Sequence, residues 1–262
     1  VAAYYNEFDP YAAQWLRNLI AAGHIAAGDV DERSIVDVSP DDLKSYTQVH
    51  FFAGIGGWSH ALRLAMWPDD RPVWTGSCPC QPFSAAGKQR GTEDERHLWP
   101  VFHRLIAECR PAVVFGEQVA SRLGRDWLCG VRADLEALEY AVAAADLCAA
   151  GTGAPPVRQR LYWLGDALGA RSQKRGQRPD ELHDAQGWAD EARHPRRSGM
   201  VGDDTWAAFD TVVTLDRKTR RIEPGSFPLA HGVPGRVGRL RGYGNAIVPQ
   251  VAAQFIKAAV IQ

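Results

Sequence analysis

The sequence predicts an α/β fold, a doubly wound and mostly parallel sheet carrying a small irregular lobe. Three observations support this. Short apolar runs of strand length alternate with stretches of helical period. The strand candidates hand over at their carboxyl ends to loops rich in Gly, Pro or Cys. The pattern then breaks after Asp166, where Arg, Gln, Asp, Gly and His replace any apolar period.

The elements follow in order. Ala2-Ala3-Tyr4-Tyr5 reads as a strand ending at Asn6–Pro10, and Asp9 and Pro10 are a helix N-cap and first-turn proline. Tyr11, Ala12, Trp15, Leu16, Leu19 and Ile20 recur at helical spacing until Gly23. A second strand is expected over His24–Val30 and a short helix over Asp41–Tyr46. Gln48–Phe52 is a buried strand running into a glycine cluster and a helix from Trp58 to about Met66. Pro72–Gly76 is a strand, residues 84–96 a polar loop, and His97–Cys109 a helix. Pro111–Phe115 is an apolar strand ending in Gly116-Glu117-Gln118. A helix over Trp127–Glu139 and strands over Tyr140–Asp146 and Leu161–Leu164 complete the sheet, and Gly244–Ile261 is a closing loop and helix. The core unit is thus expected over 1–166 and 236–262, with 167–235 as the lobe.

Bulk properties narrow the function classes. A chain of 262 residues with 45% apolar and 23% charged residues has the balance of a folded domain. A net charge of −1 means that any nucleic-acid partner must meet basic residues gathered on one face. Five cysteines, an odd number, argue against a disulfide framework, and no Cys-x-x-Cys or His-x-x-x-His pair suggests a metal site. No signal-peptide pattern or membrane-length apolar run is present, so a reducing cytoplasm is expected, which suits a working thiol.

Four features fall on successive strand edges. Gly54, Gly56 and Gly57 between strand and helix suit a nucleotide-type cofactor, because glycine lets the backbone approach a ligand. Alone, such a cluster is an ordinary strand–helix turn. Cys80, in Pro79-Cys80-Gln81-Pro82, sits on a backbone fixed by prolines; an isolated Pro-Cys is more often a buried structural thiol. Glu117 ends the next strand, and Arg158 and Arg160 precede another. Their coincidence on one sheet edge raises the case for a site.

These stretches, in order, resemble the DNA cytosine-5 methyltransferases. Phe52-Ala53-Gly54-Ile55-Gly56-Gly57 is similar to the family's cofactor loop, and Gly76–Ser84 to its Pro-Cys-Gln nucleophile loop. Val114–Val119 is similar to its Glu-Asn-Val, with Gln118 in place of Asn. Arg158-Gln159-Arg160 resembles the end of Gln-x-Arg-x-Arg, with Pro156 where the first Gln falls, and Gly244–Pro249 the closing Gly-Asn motif. The resemblance covers roughly 48–165 and 240–261. It implies S-adenosylmethionine as cofactor, double-stranded DNA as substrate, a Rossmann-like methyltransferase fold and a recognition role for the lobe.

The resemblance also assigns roles. Cys80 is the nucleophile, and Glu117, Arg158 and Arg160 are catalytic. Besides residues 52–57, Pro79, Leu98, Asn245 and Ala246 bind cofactor. Gln81, Ser84, Lys88 and Arg90 meet DNA. An acidic ribose ligand is expected about 20 residues past the glycines, yet counting there reaches the nucleophile loop. Asn6–Ala12 resembles the missing ribose segment, with Glu7 and Phe8 as ligands, and Gly28-Asp29-Val30 the adenine segment, with Asp29 and Val30. The second and third strands of the family are therefore expected before the first. A monomer is expected, with a restriction endonuclease as a partner the reading admits. The competing readings are a cofactor-binding homologue impaired in turnover and an RNA cytosine methyltransferase.

Overall fold

A computed structural model describes residues 2–79, 98–154, 157–167, 210–213, 217, 219–222 and 242–260. Nine strands are described: β1 (Ala3–Asn6), β2 (Gly28–Asp31), β3 (Gln48–Phe51), β4 (Val73–Gly76), β5 (Val113–Val119), β6 (Ala141–Cys148), β7 (Gln159–Asp166), β8 (Asp210–Val213) and β9 (Thr219–Ile222). The helices are α1 (Pro10–Ala21), α2 (Pro40–Leu43), α3 (Gly57–Leu64), α4 (Trp99–Cys109), α5 (Arg122–Ala137) and α6 (Pro249–Val260). Seven strands form one sheet in the order β2-β1-β3-β4-β5-β7-β6, and β8 and β9 pair separately. β1 to β5 run parallel, while β7 is antiparallel to both of its neighbours. The mostly parallel α/β class is therefore observed.

Alternation along the central strands divides the core into two layers, as expected for strands covered on both faces. On one face Tyr4, Val49, Phe51, Trp74, Val114 and Trp163 pack with α4 and α5. On the other, Phe115 and Tyr162 pack with Trp58 and Leu62 of α3 and with Val251 and Ile256 of α6, while Tyr5 meets Leu16 of α1. The same face holds buried polar ties. The Tyr5 hydroxyl donates to the Ala26 carbonyl at 2.6 Å, and the Ser59 Oγ of α3 accepts from Ala26 N–H at 3.2 Å.

The strand order places β1 and β2 beyond β3, as the resemblance anticipates. Ala3 pairs with Gly28 on one side and with Gln48 on the other. Residues 32–47 return from the edge strand to β3 through a 3-10 turn (Ile35–Asp37) and α2, whose Ile35 and Leu43 join the α4 layer. The amino ends of these strands are tied to one another. There Thr47 N–H donates to Ala2 O at 3.0 Å and Val73 N–H to Thr47 O at 3.2 Å. The carboxyl edge, where an open α/β sheet binds ligands, keeps all five parallel strands aligned.

Several expected boundaries move. β2 is Gly28–Asp31 rather than 24–30: Ile25 and Ala26 are buried on its approach, and the Ala26 main chain bonds the Tyr5 hydroxyl and Ser59 Oγ instead of a strand ladder. α5 begins at Arg122 rather than Trp127, since Ser121 caps it through Gly124 N–H at 3.0 Å. α2 is Pro40–Leu43, shorter than the expected 41–46. Most of the 167–235 lobe lies outside the described residues; its described part includes the β8–β9 hairpin. Among the described residues no helix is long and apolar enough to cross a membrane, and no cluster of metal-ligating side chains occurs.

Candidate active site

β3 delivers the glycine loop at the carboxyl edge. Gly54 and Gly56 have φ of 56° and 78°, in the left-handed region that favours glycine. A Cβ on Gly54 would meet nothing within 4 Å, so this turn faces open space. Glu7, just past β1, reaches across to it: its Oε2 accepts from Gly54 N–H at 2.7 Å and its Oε1 from Asp9 N–H at 2.9 Å. Burial pushes the Glu7 carboxyl up from its usual range, opposed by those two bonds. Phe8 is 73% exposed beside it, an apolar ring left facing outward. The sequence-predicted ribose segment and glycine loop are thus in direct contact.

Asp29 and Val30 lie on edge strand β2, in an open cleft of about 410 Å³ that also includes Tyr4, Arg17 and Tyr46. The Asp29 carboxylate accepts from the Tyr46 hydroxyl at 2.8 Å. Among the described residues no hydrogen bond ties Asp29 to the glycine loop. Tyr46 was not anticipated, as its partner lies 17 residues away with no local periodic signal.

β4 and β5 supply the second half. Cys78 is buried, and burial pushes its thiol well above the ordinary cysteine range, which disfavours the thiolate a nucleophile needs. Cys80, Gln81, Ser84, Lys88 and Arg90 lie outside the described residues. Ser77, at the end of β4, accepts from Trp58 Nε1 at 2.9 Å and bonds Glu117. It falls within the stretch that resembles the nucleophile loop, and only the fold brings it to β5.

Glu117 is 8% exposed and ion-paired with Arg160, Oε1 to Nε 2.7 Å. Pairing across β5 and β7 brings them together, with Glu117 opposite Tyr162 and Val119 opposite Arg160. Burial raises the carboxyl pKa, while Arg160, Arg158 and Ser77 pull it down, and burial prevails. Gln118 points to the other face, where its Oε1 accepts from Val119 N–H at 2.9 Å. Leu98, just before α4, packs on the core layer that contains Phe51 and Trp74.

Arg158, expected as a catalytic residue, reaches main-chain acceptors. Its Nη2 donates to the carbonyls of Gly244, at 3.0 Å, and of Ala246. This puts the guanidinium on main-chain acceptors beside Asn245 and Ala246. The next residue, Ile247, lies against the glycine loop, since a Cβ on Gly57 would come within 2.8 Å of Ile247 Cγ1.

Known proteins share part of this sequence. Residues 66–186 match the family model for C-5 cytosine-specific DNA methylases. Type II methyltransferase M.AplI of Arthrospira platensis is 38% identical over 92 residues, 34% of this chain and 27% of that protein. Type II methyltransferase M.HhaI of Haemophilus parahaemolyticus is 36% identical over 99 residues, 36% of this chain and 30% of that protein. The chain therefore spans less than a third of the length of these relatives. Among solved structures, Spodoptera frugiperda DNMT2 aligns with a TM-score of 0.40 at 16% identity, over 62% of this chain and 41% of that one. A putative DNA modification methyltransferase from an E. coli prophage aligns at 0.39 and 15% identity, over 65% and 48%. Over these stretches the chain is similar to the C-5 cytosine-specific DNA methylases.

Proposed function

We propose that the chain transfers a methyl group from S-adenosylmethionine to carbon 5 of cytosine in double-stranded DNA, with Cys80 as covalent nucleophile. The observation that carries this reading is the buried Glu117–Arg160 pair beside the end of β4, two strand edges from the glycine loop. A carboxyl held towards its protonated form next to a fixed guanidinium suits a ring that needs both a proton donor and a carbonyl ligand.

The residues present fit the cofactor. An acceptor carboxylate at Glu7, the left-handed Gly54 opening on free space and the outward Phe8 ring offer ribose, backbone-approach and adenine-stacking contacts. Ala53, Ile55, Asn245, Ala246, Asp29, Val30, Pro79 and Leu98 are proposed to complete this site. S-adenosylmethionine, when bound, supplies an electrophilic methyl group that ends on carbon 5.

The chain's own residues do the rest. The target cytosine must leave the duplex stack, because carbon 6 is not reachable inside it. The Cys80 thiolate donates its electron pair to carbon 6, and the displaced C5=C6 pair shifts onto carbon 5, which would take the methyl group as its bond to the sulfonium sulfur breaks. Glu117 gives a hydrogen bond to N3 and accepts one from the exocyclic amine, while Arg160 donates to O2. Loss of the carbon 5 proton to water and departure of the Cys80 sulfur restore the ring. Gln81, Ser84, Lys88 and Arg90 are proposed as DNA contacts from the loop after Cys80. Duplex DNA with 5-fluorocytosine at the target, plus cofactor, tests this. A trapped adduct mapping to Cys80 is expected; an adduct on Cys78, or none from enzyme that methylates ordinary DNA, refutes it.

A further inference from the structure

Arg158 is held in a way that a base ligand does not require. Its φ of 33° lies on the left-handed side, which a residue with a Cβ seldom adopts. The turn that holds it there is closed by Ala149, whose N–H donates to Val157 O at 2.9 Å and to Arg158 O at 3.3 Å. From this position one guanidinium nitrogen reaches two carbonyls, of Gly244 and Ala246, more than eighty residues along the chain. The segment it grips is pinned on its far side. A Cβ on Gly57 would approach Ile247 Cγ1 to 2.8 Å, and one on Gly242 would approach Ile55 Cγ2 to 3.2 Å. One residue beyond Gln159, Arg160 holds Glu117.

We propose that Arg158 is a positioning residue rather than a base ligand: it clamps the Gly244–Ala246 segment onto the glycine loop and so fixes the cofactor half of the site against Glu117 and Arg160. The assignment rests on the methyl-transfer reading above for what the clamped segment binds. The clamp itself stands on the geometry. Two carbonyls two residues apart converge on one nitrogen, which a planar guanidinium on a long stem can reach and a shorter side chain cannot. Through-space attraction to Glu117 is a second link between the halves, because Arg158 helps to hold that carboxyl down.

The test compares Arg158→Ala, Arg158→Lys and Arg160→Ala in the full chain. S-adenosylhomocysteine is titrated calorimetrically, amide exchange is followed over 242–250, and turnover is measured at saturating S-adenosylmethionine. Arg158→Ala should exchange faster over 242–250 and bind S-adenosylhomocysteine about tenfold more weakly, with turnover largely recovered at saturation. Arg160→Ala should do the reverse. Unchanged exchange and affinity with turnover lost at saturation would place Arg158 on the base and overturn the proposal. If the alanine variant does not fold, Arg158→Lys decides: affinity between wild type and tenfold weaker supports the clamp, and wild-type affinity and exchange refute it. Failure of the wild type to bind S-adenosylhomocysteine would instead sink the methyl-transfer reading, and the exchange comparison would still decide the clamp.

Discussion

Glutamine at position 7 should be as damaging as alanine, although it has nearly the shape of the native side chain. Both carboxylate oxygens of Glu7 accept from main-chain donors, Asp9 N–H at 2.9 Å and Gly54 N–H at 2.7 Å. An amide has one acceptor, so whichever way it turns, its NH2 opposes one of those N–H groups. An orphaned, partly buried donor costs about 1–3 kcal/mol. For a chain of this size about 2–4 °C of Tm accompanies each kcal/mol, so Glu7→Gln should melt about 2–12 °C lower. Glu7→Ala also orphans both donors, but it vacates space beside a turn that faces open solvent, where water can take over the two bonds. S-adenosylhomocysteine affinity should fall about tenfold in each, equivalent to about 1.4 kcal/mol. Differential scanning calorimetry and titration calorimetry on the two variants read these quantities. A glutamine variant that melts and binds like the wild type would show that Glu7 is not held between two donors.

Three further predictions concern other parts of the molecule. Cys80→Ser should abolish turnover and 5-fluorocytosine trapping, whereas Cys78→Ser, altering a buried thiol, should retain both; a mass-mapped adduct distinguishes them. Glu117→Ala should lower turnover on the order of 10²- to 10³-fold at unchanged cofactor affinity, and parallel loss of cofactor binding would mean a structural role. Because burial raises the Glu117 carboxyl pKa and the protonated form is the donor, wild-type kcat should fall as pH rises through that value, a limb that Glu117→Gln should lack. Buried His50 bonds Thr75 Oγ1 through Nδ1, and burial takes its pKa from 6.5 to about 3. The unfolded chain therefore binds a proton that the folded chain refuses, and stability falls as pH drops from about 6.5 towards 3, at about 1.4 kcal/mol per unit. Glu7 and Glu117, with raised values, act with the opposite sign. The difference in urea-unfolding slopes between wild type and His50→Gln isolates the histidine, and equal slopes would refute the assignment.

Local patterning predicts the parallel α/β class and the order of the chemistry-bearing loops, and the resemblance adds the displaced ribose segment as an expectation. These are legible because strand and helix periods, caps and turn residues are written within a dozen residues; Asp9 and Pro10 mark α1 in the sequence and cap it in the structure. The site was legible as residue types at strand ends, since five parallel strands must present their carboxyl ends at one edge. What pairs with what was decided only by tertiary structure. Strand pairing across β5 and β7 makes Glu117 and Arg160 an ion pair although 42 residues of chain lie between them. The motif position of Arg158 suggested catalysis, but its partners are carbonyls more than eighty residues away, and main-chain acceptors leave no trace in side-chain identity. That Cys78 is buried, so that desolvation penalises its thiolate, is likewise seen only in the fold. The displaced strands could be identified as a resemblance, but their docking beside β3 needed the fold. Hydrogen-bonded neighbours in a parallel sheet are set by which edge each crossover returns to, and that depends on packing of the whole domain rather than on any one segment.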